Sequence, residues 1–310
     1  MKLLAMVSHT ETWWADGTWP HFDEVLDGLH RAWDQGTLSA KRPVVTFCVT
    51  AEALEDKETV LHQLQADGHE IGVHSHLPGS HRGAHGYQGE FAYRIDDGGR
   101  LNQDLAAARI RARVEQAGLG AASTHVSGFF ALRDTTVAVL EDAGFTVDCS
   151  LMPGTVGTHP AAGDFVLWDN RARTCPAAYR LSQSDHCQPG DSRIIELPVW
   201  GHLNAEEDQD CLLEIVRRSE QDGVPIASHW EAYWRERGSF RDVPSSGRQV
   251  QGKPEVVQVF FHWWDFLGRG GDIDTESLAR LGRFLRRWAE TDDCSFATAS
   301  HAAQQLAEDA

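Results

Sequence analysis

Alternation limits the fold of this 310-residue chain more than any other feature. Short runs of β-branched and aromatic residues recur, and most are followed by a segment with apolar residues at helical spacing. Leu3-Leu4-Ala5-Met6-Val7-Ser8 opens the series, and Pro43-Val44-Val45-Thr46-Phe47-Cys48-Val49 is its clearest strand. Further strands are predicted over 70–74, near 127–129, and over 145–151, 194–200, 256–262 and 295–297. Helices are predicted at about 22–33, 57–66, 101–117, 134–143, 206–221, 226–236 and 275–289, with one more at the terminus. Strand and helix thus alternate seven or eight times, and several strands end in His or Glu. That pattern predicts an α/β fold, a distorted parallel (β/α)7-8 barrel, because such barrels gather functional groups at the carboxyl ends of their strands. An open doubly wound sheet is the rival. No Gly-x-Gly-x-x-Gly or Gly-Lys-Ser phosphate loop follows the first strand, which counts against it. No repeat, charge block or low-complexity stretch marks a boundary, so a single domain over 1–310 is expected, with the irregular stretch 152–193 as an excursion over one rim.

Two strand ends carry chemistry. In Gly68-His69-Glu70-Ile71-Gly72-Val73-His74-Ser75-His76 the last residues are still extended, so His74 and His76, two apart, project to the same side. His9 and Glu11 repeat that period at the end of the first strand. With 16 histidines in the chain a chance pair is unremarkable; two pairs, each closing a strand, suit metal ligation better.

Charge narrows the partners. Lys and Arg number 28 against 46 Asp and Glu, and the formal net charge of −18 repels phosphate backbones and anionic lipid, so neither nucleic acid nor membrane is an expected partner. No apolar stretch reaches the roughly 20 residues of a membrane span, and the opening residues are too short for a secretory signal; a cytoplasmic location is the expectation. The six cysteines are scattered without a Cys-x-x-Cys pair and read as reduced and buried. Eleven tryptophans suit either core packing or the faces of sugar rings. From 77 to 100 the chain is Gly- and His-rich and aperiodic, a length at which loops tend to be functional.

Taken in order, Glu11, Val45-Thr46-Phe47, the Gly68 to His76 segment, Gly144-Phe145 before Asp148-Cys149-Ser150, Glu196-Leu197-Pro198 and Phe261-His262 resemble the polysaccharide deacetylases, carbohydrate esterase family four. The Gly-His-Glu-Ile-Gly-x-His segment is the most specific part, and the resemblance runs from about Leu4 to Ala297. It implies a barrel of the polysaccharide deacetylase type, and a divalent cation, most often zinc, held by an acidic residue and two histidines. It also implies hydrolysis of an acyl amide on an amino sugar, a small-molecule substrate. Glu11 takes the acidic ligand position, and His9 stands where the family has an aspartate base. His74 matches the first histidine of the family's pair, but the position four further on is Pro78. His76 replaces it, with His81 and His85 as rivals. The segment Ser127-Gly128-Phe129 lacks the family's arginine, while Phe129 matches the aromatic whose backbone N–H serves the oxyanion. His262, beside Trp263 and Trp264, matches the proton-donating histidine.

Zinc on Glu11, His74 and His76 keeps an open position, where it lowers the pKa of a water from about 15.7 to about 7 and polarises a carbonyl. With an ordinary pKa of about 6.5, His9 and His262 suit acceptance and delivery of the proton, in either order, unless His9 is a fourth ligand. Glu196, Asp265 and Asp148 are candidates for orienting a histidine, and Tyr179 and Arg180 for reaching the substrate from the rim. A non-catalytic carbohydrate-binding barrel and a cyclic-amide hydrolase on the same metal are the competing expectations.

Overall fold

A computed structural model of the chain describes residues 1–12, 18–76, 102–158, 166–237 and 254–308. Nine strands lie in the order β10-β11-β1-β2-β3-β4-β5-β9-β8, with β12 paired to β1 beside them. These are β1 (Lys2–Thr10), β2 (Val45–Val49), β3 (Glu70–Ser75), β4 (Thr124–Ser127), β5 (Val147–Asp148), β8 (Tyr179–Arg180), β9 (Ile195–Glu196), β10 (Val199–His202), β11 (Glu255–His262) and β12 (Cys294–Phe296). Every pairing is parallel except β8 on β9. A separate hairpin, β6 (Val156–Thr158) with β7 (Val166–Asp169), lies in the predicted excursion.

Near its two ends the sheet is held by one stretch of chain. Residues 195–196 pair with β5 and 199–202 pair with β11, so one strand, broken at Leu197-Pro198, draws the curled sheet round towards itself. Pro198 has no N–H to give a ladder, which fits the break. The helices α1 (Phe22–Gly36), α2 (Ala51–Ala66), α3 (Asn102–Gln116), α4 (Asp134–Asp142), α5 (Glu206–Asp222), α6 (Ile226–Glu236) and α7 (Thr275–Glu290) alternate with the strands, and α8 (Ala299–Glu308) closes the described chain. The predicted parallel α/β barrel is the fold observed. One helix begins earlier than its periodicity shows: α2 starts at Ala51, capped by the Thr50 hydroxyl accepting the Ala53 N–H. Lys57, where the amphipathic spacing begins, is non-helical at φ −127° and ψ 17°.

Because side chains alternate across a strand, the wall has two buried faces. Leu4 and Met6 face the helices, while Leu3, Ala5 and Val7 join Cys48, Val126, Val147, Ile195 and Val256 in a second cluster inside the barrel. Ala299, Ala302 and Ala303 of α8 fill the floor of that interior. Glu70 anchors the floor. Its carboxylate accepts from the Thr46 and Thr124 hydroxyls and from the Ser300 N–H, joining β2, β4 and α8 at the amino-terminal end of β3. His69 accepts the Val45 N–H through Nδ1 at 3.0 Å, and a Cβ on Gly72 would meet Cys48 Sγ and the Thr124 carbonyl at 2.9 Å. The sequence around His74 is thus largely spent on building the wall that carries it.

Candidate metal centre

His74 is the pivot of the site. It leaves β3 into the barrel interior, in register with Val126 of β4, and is 1% exposed. Its Nδ1 donates to the Val126 carbonyl at 3.1 Å. That bond fixes the tautomer and leaves a lone pair on Nε2. Nε2 has no hydrogen-bond partner and lies 3.5 Å from Glu11 Oε2, an atom that is itself acceptor-only when ionised. His76 Nε2 lies 3.3 Å from the same oxygen, and His262 Nε2 lies 3.5 Å from Glu11 Oε1. All three separations exceed the roughly 2.7–3.2 Å of an N–H···O bond. Donor atoms at about 2.0–2.1 Å from one tetrahedral zinc stand about 3.3–3.4 Å apart, close to the separations of Glu11 from the two β3 imidazoles. The donor set, two imidazoles and a buried carboxylate, therefore fits a divalent cation.

Neighbouring chain holds these groups in place. The Trp263 indole N–H donates to the Glu11 carbonyl at 2.8 Å. His76 presses on the backbone of a 3-10 turn, Gly128–Phe130: a Cβ on Gly128 would lie 2.5 Å from His76 Cε1. Only glycine leaves room for that ring. Phe129 and Phe130 both carry positive φ, 54° and 57°, a strained conformation costing about 1–3 kcal/mol each, and the Phe129 ring meets His76 edge-on at 5.1 Å. His9 lies on the inner face as expected from its period with Glu11. Its ring centre is 4.6 Å from His74, 5.0 Å from His262 and 5.2 Å from Phe260, and its Nε2 has no hydrogen-bond partner. Burial, and then the charges of the imidazoles around it, hold its pKa well below 6.5.

His262 stands to one side of Glu11, with Trp264 stacked on it at 4.5 Å. Asp265 takes the His262 backbone N–H at 2.5 Å and lies 3.4 Å from its Nδ1. The same carboxylate oxygen accepts from His202 Nε2 at 2.7 Å. Burial works against the charge on Asp265, but the two histidine hydrogen bonds outweigh it and keep its pKa well below the carboxylate range. His202 is raised in turn, Asp265 overcoming the effect of burial. Asp265 therefore orients histidines as expected. His202 was not among the expected residues; its position at the carboxyl end of β10 was the signal available.

Other expectations fall elsewhere. Asp148 holds His125, outside the site, and Glu196 accepts the Leu151 N–H. Tyr179 is buried with its hydroxyl donating to the His186 carbonyl at 2.5 Å. Trp13, Trp14, His81 and His85 lie outside the described residues. All six cysteines are buried and none is in a disulfide. Among the described residues no helix is long and apolar enough to cross a membrane.

No protein-family model matches the chain, and no curated protein matches it in sequence. Its fold is similar to that of a protein from Mycobacterium smegmatis described as a polysaccharide deacetylase, at TM-score 0.51 and 16% identity, over 99% of this chain and 91% of that one. It is similar also to one from Pseudomonas aeruginosa PAO1 described in the same words, at TM-score 0.53 and 12% identity, over 99% and 91%. Puue allantoinase aligns at TM-score 0.51 and 12% identity, over 99% and 90%. At such identities the likeness is one of fold, and it relates the barrel to the polysaccharide deacetylases at that level.

Proposed function

We propose that the protein is a metal-dependent hydrolase that removes an N-acyl group, most simply acetyl, from an amino sugar or a sugar-containing small molecule. One observation carries the reading: the lone pair of His74 Nε2 and the carboxylate of Glu11 face each other at 3.5 Å in a buried site, an arrangement that calls for a cation between them. Glu11, His74 and His76 would hold that cation, and zinc is the best match to two imidazoles and a carboxylate. When bound, it supplies Lewis-acid polarisation of the acyl carbonyl and acidifies a water.

The chain's own residues do the rest. His9, with Nε2 unpartnered at the edge of the cluster, accepts the proton of the attacking water; burial lowers its affinity for that proton, so it does not keep it. His262, oriented by Asp265, delivers a proton to the nitrogen as the C–N bond breaks. The 3-10 turn at Gly128–Phe130 packs on His76, and in this reading its backbone N–H groups serve the developing charge on the carbonyl oxygen. The polysaccharide deacetylase names of two fold neighbours point the acyl amide towards a sugar. Acetate release from a panel of N-acetylated amino sugars, with zinc supplied and again after chelation, tests the reading. Release only with metal is expected; a metal-replete protein inert on acetyl, longer acyl and cyclic amides would overturn it.

A further inference from the structure

Beside the cluster, at the carboxyl ends of β5, β10 and β11, lies a cleft of about 480 Å³ with Trp200, Trp230, Trp234, Met152, Phe260 and His202 in its walls. That volume falls in the range of about 300–1,000 Å³ typical of small-molecule sites. Two of these residues belong to both places: Phe260 stacks on His9 and lies 4.8 Å from His202, and His202 is joined through Asp265 to His262. The cleft is therefore on the His262 side of the cation cluster.

The polar groups of its walls are mostly committed within the protein. The Thr155 hydroxyl donates to the Met152 carbonyl and accepts from Trp168, Asp208 accepts the His202 backbone N–H, and His202 Nε2 is on Asp265. Among the described residues no Lys or Arg lines the cleft. The rest of the wall is made of the aromatic side chains of Trp200, Trp230, Trp234 and Phe260.

We infer that this cleft binds an uncharged, flat, largely apolar group attached on the amine side of the substrate. Asp208 in the wall disfavours an anionic group such as a diphosphate. The assignment to the amine side rests on the proposed hydrolase reading, in which His262 protonates the departing nitrogen; the cleft's chemistry does not.

The test is calorimetric titration of the full chain with phenyl N-acetyl-β-glucosaminide, its methyl counterpart and N-acetylglucosamine 1-phosphate. The first two differ only in the apolar ring. The phenyl ligand is expected to bind about tenfold tighter than the methyl ligand, the area of one buried ring, and the phosphate no tighter than the methyl ligand. The advantage should vanish in Trp234→Ala, which removes a wall, and in Met152→Trp, which fills the cleft, with circular dichroism verifying each fold. Equal affinities, no binding of either glycoside, tighter binding of the phosphate, or an advantage surviving in both variants would overturn the inference. Titrating zinc-loaded and chelated protein separates it from the hydrolase reading. A phenyl advantage in both forms without acetate release upholds the cleft alone, whereas metal-dependent acetate release with equal affinities upholds the reaction alone.

Discussion

The two faces of β3 carry clusters built from nearly the same side chains, and they differ in distance. On the inner face Glu11, His74 and His76 stand 3.3–3.5 Å apart. On the outer face Ser75 Oγ is 2.8 Å from His125 Nε2, and His125 Nδ1 is 2.6 Å from Asp148 Oδ1. The outer set has the connectivity of a hydrolytic triad, yet Ser75, His125 and Asp148 are each 0% exposed. Its bonds are also complete. Asp148 accepts from the N–H and hydroxyl of Ser150 as well, and Ser150 takes the Ser127 N–H. Burial raises Asp148 but the His125 hydrogen bond outweighs it and the pKa is lowered; burial and the charge of Asp148 push Glu196 beside it well up. Residue type alone thus does not mark a reactive centre. A network of donors meeting acceptors at hydrogen-bond distance is finished, whereas imidazole and carboxylate atoms set across a slightly wider gap have the spacing that suits a shared cation.

That contrast can be broken first at Glu11. Glu11→Ala should lower acetate release by about 10³-fold or more and abolish the rise in melting temperature that zinc gives the wild type, with the fold kept. Zinc stabilising the variant as it does the wild type would refute the inner cluster. On the outer face Asp148→Ala strands His125 in the core and should cost about 3–5 kcal/mol in denaturant unfolding, while zinc stoichiometry stays unchanged. Gly128→Ala joins the two kinds of effect: its Cβ displaces His76, so zinc affinity by competition with a chelator should fall about 10–100-fold at little cost in stability. Ser75→Ala should cost about 1–3 kcal/mol by leaving His125 Nε2 unpaired, with turnover unaltered; loss of turnover in a folded variant would make the outer set a reactive triad after all.

The smallest effect is one of pH. Asp265 raises His202 above its ordinary value, so the bound proton favours the folded state. That contribution is complete below about pH 6.5 and fades as pH climbs through the raised value. His202→Gln should therefore flatten the fall in stability on the alkaline side of pH 6.5. A profile identical to wild type would mean that Asp265 does not hold a proton on His202.

Much of this was legible in the chain because it is local. A period of two puts His9 with Glu11 and His74 with His76 on one side of extended backbone, and regular strand–helix alternation argues for a parallel barrel without any knowledge of contacts. The segment around His74 also announced itself, since His69, Glu70 and Gly72 each meet a specific demand of the wall and Gly68 takes the positive φ of the turn before it. The broken strand at Leu197-Pro198 was less visible: as sequence, 194–200 reads as one continuous run, and only pairing to β5 on one side and β11 on the other divides it.

What remained belongs to three dimensions. That Glu11 meets the imidazoles of a strand two places away depends on register and on the curl of the sheet, quantities set by every strand at once. The same holds for His202 reaching Asp265 across 63 residues, and for His125 and Asp148 turning to the outer face rather than the inner. Periodicity tells which side chains share a face; it carries no information about which faces are brought together, or at what distance, because those follow from long-range packing that no local pattern encodes.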